Sequence, residues 1–206
     1  MSEPQAVASE IEEILPGVWR WSVHDERIAF VSAAHAFASD EGTVLVDPLP
    51  LTAEPLRRLG TVAAVCLTAG SHQRSAWRYR RELGAKVYAP SLAKELEEEP
   101  DVRYGDGDVL HGGLRTVFTP GAGTTQHTLV LHREHKIAFV ADLLVWPEGG
   151  EIGMVDDRYL HDPEEARRSL RRLLELKLEM LCLAHGMPVR GDPKAAIRDV
   201  LGESSS

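Results

Sequence analysis

Short apolar runs rich in valine, isoleucine and aromatic residues recur along the chain, separated by clusters of turn residues. Residues 18–22, 28–37 and 43–46 read as three successive strands, with Asp40-Glu41-Gly42 as the turn between the second and third. Residues 62–68 are almost continuously apolar, the pattern of a strand buried on both faces. The period then changes. Over residues 71–83, Ala76, Tyr79 and Leu83 recur at helical spacing, Arg78, Arg80 and Arg81 lie among them, and Gly84 stands where a helix C-cap belongs. Residues 86–89 read as another strand and 91–98 as a second helix. A second β-rich block follows at 114–119, 128–132 and 137–141. Asp162-Pro163-Glu164-Glu165 is a strong helix start, with an acid at the N-cap, proline in the first turn and carboxylates near the positive end of the dipole. That helix carries Ala166, Leu170, Leu173 and Leu174 on one face. Residues 179–184 then read as a buried strand, and Asp192-Pro193 opens a last helix.

This order, strands, then β-α-β-α, then strands, then α-β-α, predicts an α/β fold of two sheets packed face to face with helices outside. No linker rich in glycine, serine or proline interrupts the middle. The expectation is therefore one domain over residues 1–206, with 1–10 and 202–206 as flexible tails. The chain carries 23 Lys and Arg against 32 Asp and Glu, a net charge of −9, which argues against a nucleic-acid or anionic-membrane partner. No apolar stretch reaches the length of a membrane span, and the acidic start is unlike a secretory signal. Two cysteines, Cys66 and Cys182, make no disulfide framework, and both lie in apolar runs where core packing is the simple reading. Together these features point to a reduced, cytoplasmic location.

Polar residues stand at the ends of the predicted strands, where layered folds place their sites. Asp47 follows Val44-Leu45-Val46, residues 68–74 follow Val65-Cys66-Leu67, residues 119–126 follow Val117-Phe118, Asp142 follows Phe139-Val140-Ala141, and His185-Gly186 follows Leu181-Cys182-Leu183-Ala184. Taken in order, Val44-Leu45-Val46-Asp47-Pro48, Cys66-Leu67-Thr68, Thr119-Pro120-Gly121, Phe139-Val140-Ala141-Asp142-Leu143-Leu144 and Ala184-His185-Gly186 resemble the metallo-β-lactamase fold. The nearest likeness is to its glyoxalase-II-like subgroup. The resemblance runs over about residues 15–189 and implies a four-layer αβ/βα sandwich. It also implies two metal ions, usually zinc, held by the signature Thr-His-x-His-x-Asp-His, a histidine after Pro-Gly, a bridging aspartate and a final histidine. Such ions lower the pKa of a bridging water until it attacks at neutral pH.

Aligned without gaps from Thr68, this chain places Ala69, Ser71, Gln73 and Arg74 at the four signature positions and Ala122 after Pro-Gly. Only Asp142 and His185 keep ligand residues, so they are the candidate catalytic positions. The resemblance thus implies a hydrolase-like protein with a degenerate metal site and no resident cofactor. Arg74 stays protonated and would repel a metal ion. It would serve either in a structural ion pair with Asp142 or in a site for a small anionic ligand. That site would include Ser71, Gln73, Arg74 and His127, with the amides of a helix starting near Ser71. A competing reading keeps one zinc, iron or manganese ion on His72, Asp142 and His185, with His127 as a further donor. The protein would then hydrolyse thioesters, lactones or related esters. A two-residue slip would place His72 on the last histidine of the signature, whereas the ungapped register keeps Ala76 at the family's small residue.

Other features carry less. Ser71-His72 has no nucleophile elbow around it, and neighbours on a helix do not face each other. Residues 121–125 lack the Gly-Lys-Thr continuation of a phosphate loop and lead into a strand. His24, His35, His111, His132, His135 and His161 show no ligand spacing, and 95–99 reads as a solvated acidic helix end. A protein-interaction scaffold is the remaining reading, with the arginine-rich stretch from Arg74 to Arg81 as its surface hint.

Overall fold

The computed structural model describes residues 3–132 and 136–203. His135, the side chain of His132 and the extreme ends of the expected tails lie outside the described residues. The chain divides into two compact units. The first comprises the residues up to Tyr104 together with Leu110–Gly112, and the second comprises Gly105–Val109 with the residues from Gly113 onward.

The first unit is built on seven strands that lie side by side in chain order. They are β1 (Glu12–Leu15), β2 (Val18–Asp25), β3 (Phe30–Ser39), β4 (Gly42–Val46), β5 (Val62–Cys66), β6 (Lys86–Pro90) and β7 (Val102–Tyr104). Pairing is antiparallel from β1 to β4 and parallel from β4 to β7. The parallel steps use crossovers carrying α1 (Ala53–Arg58) and α2 (Ala76–Leu83). Trp21, Val23, Ala34, Ala36, Leu45, Val65 and Leu67 project from the sheet into a core with Leu49, Leu51, Trp77 and Tyr79. Their polar atoms stay satisfied: Trp21 Nε1 and Tyr79 Oη both donate to the Leu49 carbonyl, and Tyr79 Oη accepts from Leu51 N.

Four expectations for this unit change. The second strand starts at Phe30 rather than 28, because Ile28 N turns back onto Asp25 O and Ala29 is left-handed at φ 51°. The segment 71–83 is helical as α only from Ala76; a 3-10 turn at Gly70–His72 precedes it, and Arg74 at φ 35° breaks the ladder between them. Residues 91–98 form no helix. Their backbone groups are satisfied at long range instead: Ser91 N donates to Tyr104 O, Arg103 Nη1 donates to Ser91 O and Ala93 O, and the Gln73 side chain takes Glu95 O and Glu97 N. The acidic run at its end is paired as well, Glu98 with Arg81 and Glu99 with Arg103. Finally, residues 3–10 do not run free. Ala8 is buried, donates to Pro50 O and accepts from Thr52 N.

The second unit holds five strands in the order β12-β11-β10-β9-β8. These are β8 (Leu114–Phe118), β9 (His127–His132), β10 (Lys136–Val140), β11 (Met180–Leu183) and β12 (Val189–Arg190). Only β10 and β11 run parallel, and the crossover between them carries α3 (Pro163–Leu174). The α3 start is as the sequence predicts, with Asp162 Oδ1 accepting from Glu165 N at 2.9 Å. Asp192 caps α4 (Pro193–Leu201) in the same way. Ala166, Leu170 and Leu173 pack with Val130, Ala138, Val140, Leu181, Leu183 and Ile197. Mixed α/β architecture with two sheets and flanking helices is the predicted class. Among the described residues no helix is long and apolar enough to cross a membrane.

Candidate functional site

In the first unit the strand ends converge on Asp47. It follows β4, is buried, and sits in the left-handed region at φ 47°. Its carboxylate accepts from Thr68 N at 2.8 Å and Thr68 Oγ1 at 2.5 Å, and His72 Nδ1 lies 3.0 Å from Oδ2. Burial alone would raise the Asp47 pKa. His72, the Arg74 charge and the Thr68 hydroxyl outweigh it and hold the carboxyl below its usual range. A second strained residue adjoins the first: Arg74, buried and at φ 35°, donates through Nη1 to Ala33 O at 2.8 Å and Asp47 O at 3.0 Å. Non-glycine residues in this region persist only where surroundings over-determine them, and such residues gather at functional sites.

The other residues that the resemblance sets at signature positions divide between buried and exposed surroundings. Gln73 is buried; its Nε2 donates to Glu95 O at 3.0 Å, and its Oε1 accepts from Trp77 Nε1 and Glu97 N, each at 2.7 Å. Ser71 is exposed and Ala69 buried. Since α2 begins at Ala76, its amides do not lie at Ser71, and the helix start expected there is displaced by five residues. The arginines that hinted at a partner surface face acids of their own unit: Arg78 pairs with Glu3, Arg80 with Asp101, and Arg81 with Glu98.

In the second unit Asp142 and His185 come together, with Oδ1 and Nε2 3.2 Å apart. Gly186 makes the turn after His185 possible: at φ 123°, a Cβ there would lie 2.4 Å from Trp146 O. Trp146 N in turn donates to His185 O. His127 opens β9, and its Nδ1 lies 2.9 Å from Thr125 O, so this nitrogen is the donor. Burial lowers the His127 pKa, against the pull of that bond and of Asp106 and Asp108. Among the described residues His127 joins no group of three histidine, cysteine or acidic donors within mutual ligand reach. Ala122, half-buried, packs against the second core.

Two residues that matter here, Asp47 and Thr68, stand at strand ends that the sequence marks as polar, yet nothing in the sequence pairs them with His72. That pairing needs β4 and β5 side by side, a parallel contact made through a crossover.

Comparison with known proteins agrees with this architecture. A family model described as the metallo-beta-lactamase superfamily matches residues 13–202. A metallo-beta-lactamase from Pontibacter korlensis superposes with a TM-score of 0.72 at 18% identity, covering 94% of this chain and 97% of that one. A metallo-beta-lactamase superfamily protein from the archaeon Sulfolobus tokodaii gives 0.69 at 16% identity, covering 89% and 85%. A metallo-beta-lactamase family protein from Thermus thermophilus gives 0.67 at 18% identity, covering 92% and 78%. Curated proteins gave no match. At these identities the solved structures share the fold, and the family model, spanning nearly the whole length, makes this chain a member of the metallo-β-lactamase superfamily.

Proposed function

We propose that this chain is a hydrolase-like superfamily member whose dinuclear metal site has been dismantled, leaving a catalytically impaired binder of small anionic ligands around Arg74. The observation that carries this reading is the use made of two signature positions. Gln73 spends both ends of its amide on Glu95, Glu97 and Trp77, and Arg74 brings a permanent charge to Ala33 O and Asp47 O. Ala69 offers no donor atom at all. This donor set does not fit a pair of divalent cations. Metal analysis by inductively coupled plasma mass spectrometry, on protein purified without chelator or histidine tag, should find only substoichiometric traces. About one zinc, iron or manganese per chain would overturn the reading. Inorganic phosphate at a hundred times its Kd should add about 2.7 kcal/mol of stability, and Arg74→Ala should abolish that gain.

A second reading, a mononuclear metal-dependent hydrolase of thioesters, lactones or related esters, has specific support in each unit. Asp142 and His185 meet at 3.2 Å, and the His72 ring is backed by the Asp47 carboxylate as ligating histidines usually are. The glyoxalase-II-like likeness belongs with this reading. Stoichiometric metal that disappears in His185→Ala would establish it over the first.

A further inference from the structure

In the first unit β2 outruns its neighbour at the sheet edge. β1 pairs with it only as far as Arg20, which stands across from Glu12, whereas β2 continues to Asp25. On its other side β2 pairs with β3 along its whole length, from Val18 opposite Phe37 to Asp25 opposite Phe30. One position before the first of those pairs, Ala38 N donates to Gly17 O at 2.8 Å. Hydrogen-bonded pairs alternate along an antiparallel ladder, so Trp19, Trp21, Val23 and Asp25 give their peptide groups to β3. The N–H and C=O of Ser22 and His24 therefore point to the opposite edge, and among the described residues no backbone group meets them there. The chain before β1 does not close the gap. Gln5 N donates to Glu26 Oε1 at 2.9 Å, while Ala8 N donates to Pro50 O and Ala8 O accepts from Thr52 N. Residues 6–12 thus form one wall of a cavity of about 500 Å³, and residues 20–24 form the other.

We infer that this cavity receives an extended, lysine- or arginine-bearing segment of a partner protein, which adds as a strand to the outer edge of β2. Ser22 and His24 lie roughly 7 Å apart along the strand, the repeat at which another extended backbone presents its own donors and acceptors. Main-chain bonds to these two residues supply affinity, as they do wherever a peptide joins an open sheet edge. Charge sets the kind of peptide. Glu10 and Glu12 on the first wall and Glu26 beyond the second are exposed, and no lysine or arginine precedes Arg20 in the chain. Of the nearby cations, Arg20 is buried, and Arg27 donates through Nε to Asp25 Oδ1 at 2.8 Å. The mouth of the cavity is thus acidic and selects for basic side chains. Val7, 49% exposed on the first wall, offers apolar contact to the side chains that alternate with them.

The test uses the full chain labelled with nitrogen-15 and the blocked peptide acetyl-Lys-Val-Lys-Val-Lys-amide. Without peptide, the Ser22 and His24 amides should exchange with solvent roughly 10-fold faster or more than those of Trp21 and Val23, which the β3 ladder protects. Added peptide should shift the Ser22 and His24 amide signals and slow their exchange, while acetyl-Glu-Val-Glu-Val-Glu-amide should leave them unchanged. Ser22→Pro should abolish binding and keep the fold, since proline is tolerated where a strand N–H faces away from the ladder. Glu10→Lys is the milder companion should Ser22→Pro fold poorly; it should weaken binding about two- to fivefold. No response of these two amides up to about 1 mM basic peptide overturns the inference. Equal binding of the acidic peptide overturns the assigned partner chemistry. Protection of both amides in the absence of peptide overturns it too, and protection that grows with protein concentration gives the edge to a second copy of this chain.

Discussion

His35 is placed on β3 directly across from Arg20 of β2 and is fully buried. Burial foremost, with repulsion from Arg20 and Arg74 and against the pull of Asp47, takes its pKa from 6.5 down to about 3. The folded chain thus holds His35 neutral where the unfolded chain would protonate it. Its contribution is complete above the unfolded value and is lost progressively as pH falls from 6.5 toward 3. At about 1.4 kcal/mol per pH unit, His35 should remove about 2 kcal/mol between pH 6.5 and 5. Urea unfolding at the two pH values measures this, and His35→Gln should flatten the difference whatever it does to stability at pH 7. Equal pH slopes in wild type and variant would refute the assignment. Asp47 acts in the same direction but in a lower window, since its carboxylate is held below its ordinary range. Its share is present above about pH 4 and is lost below it.

The elements are positioned by a few residues whose role is invisible in isolation. Gly121 lies at φ 124°, where an added Cβ would stand 2.2 Å from the backbone N of Ala166, and its carbonyl accepts from Asp162 N at the start of α3. Helix and loop touch backbone to backbone, which only glycine permits. Gly121→Ala should therefore cost about 2–5 kcal/mol, from left-handed strain together with forced displacement of α3. Gly84→Ala, at the C-cap of α2 with nothing within 4 Å of its Cβ, should cost only about 1 kcal/mol. Comparable losses at the two positions, read by chemical denaturation, would contradict this account. The break before α2 has an equally specific origin: Ser75 N is drawn to Pro48 O, and Arg74 turns left-handed so that its guanidinium reaches Ala33 O and Asp47 O. Helical periodicity over 71–83 recorded the buried face of Ala76 and Tyr79 but carried no sign of that detour.

Across the whole molecule, two hydrophobic cores are built in different halves of the chain. Trp21 and Tyr79 anchor one, and Leu170 and Ile197 anchor the other. Under the first reading, a chelator such as EDTA should leave Tm unchanged within about 1 °C, whereas a ligand-dependent fold loses stability when its ligand is withdrawn. A fall of several degrees, restored by zinc, would favour the mononuclear reading. β1, α1, β7 and β12 were not legible from sequence, whereas the strands β2 to β6 and β8 to β11, the capped starts of α3 and α4, and the polar residues at strand ends were. Each of these depends on local patterning: apolar period, a capping acid before proline, a polar residue closing an apolar run. The 91–98 segment misled the same reasoning, because its backbone bonds go to Tyr104, Arg103 and Gln73 rather than along itself. The site divided in the same way. Sequence alone determined that Ala69 offers no donor atom and that Arg74 is a cation. Only tertiary structure decided where those side chains go. β4 and β5 meet through a crossover, and that contact alone sets the Asp47 carboxylate against Thr68 and His72.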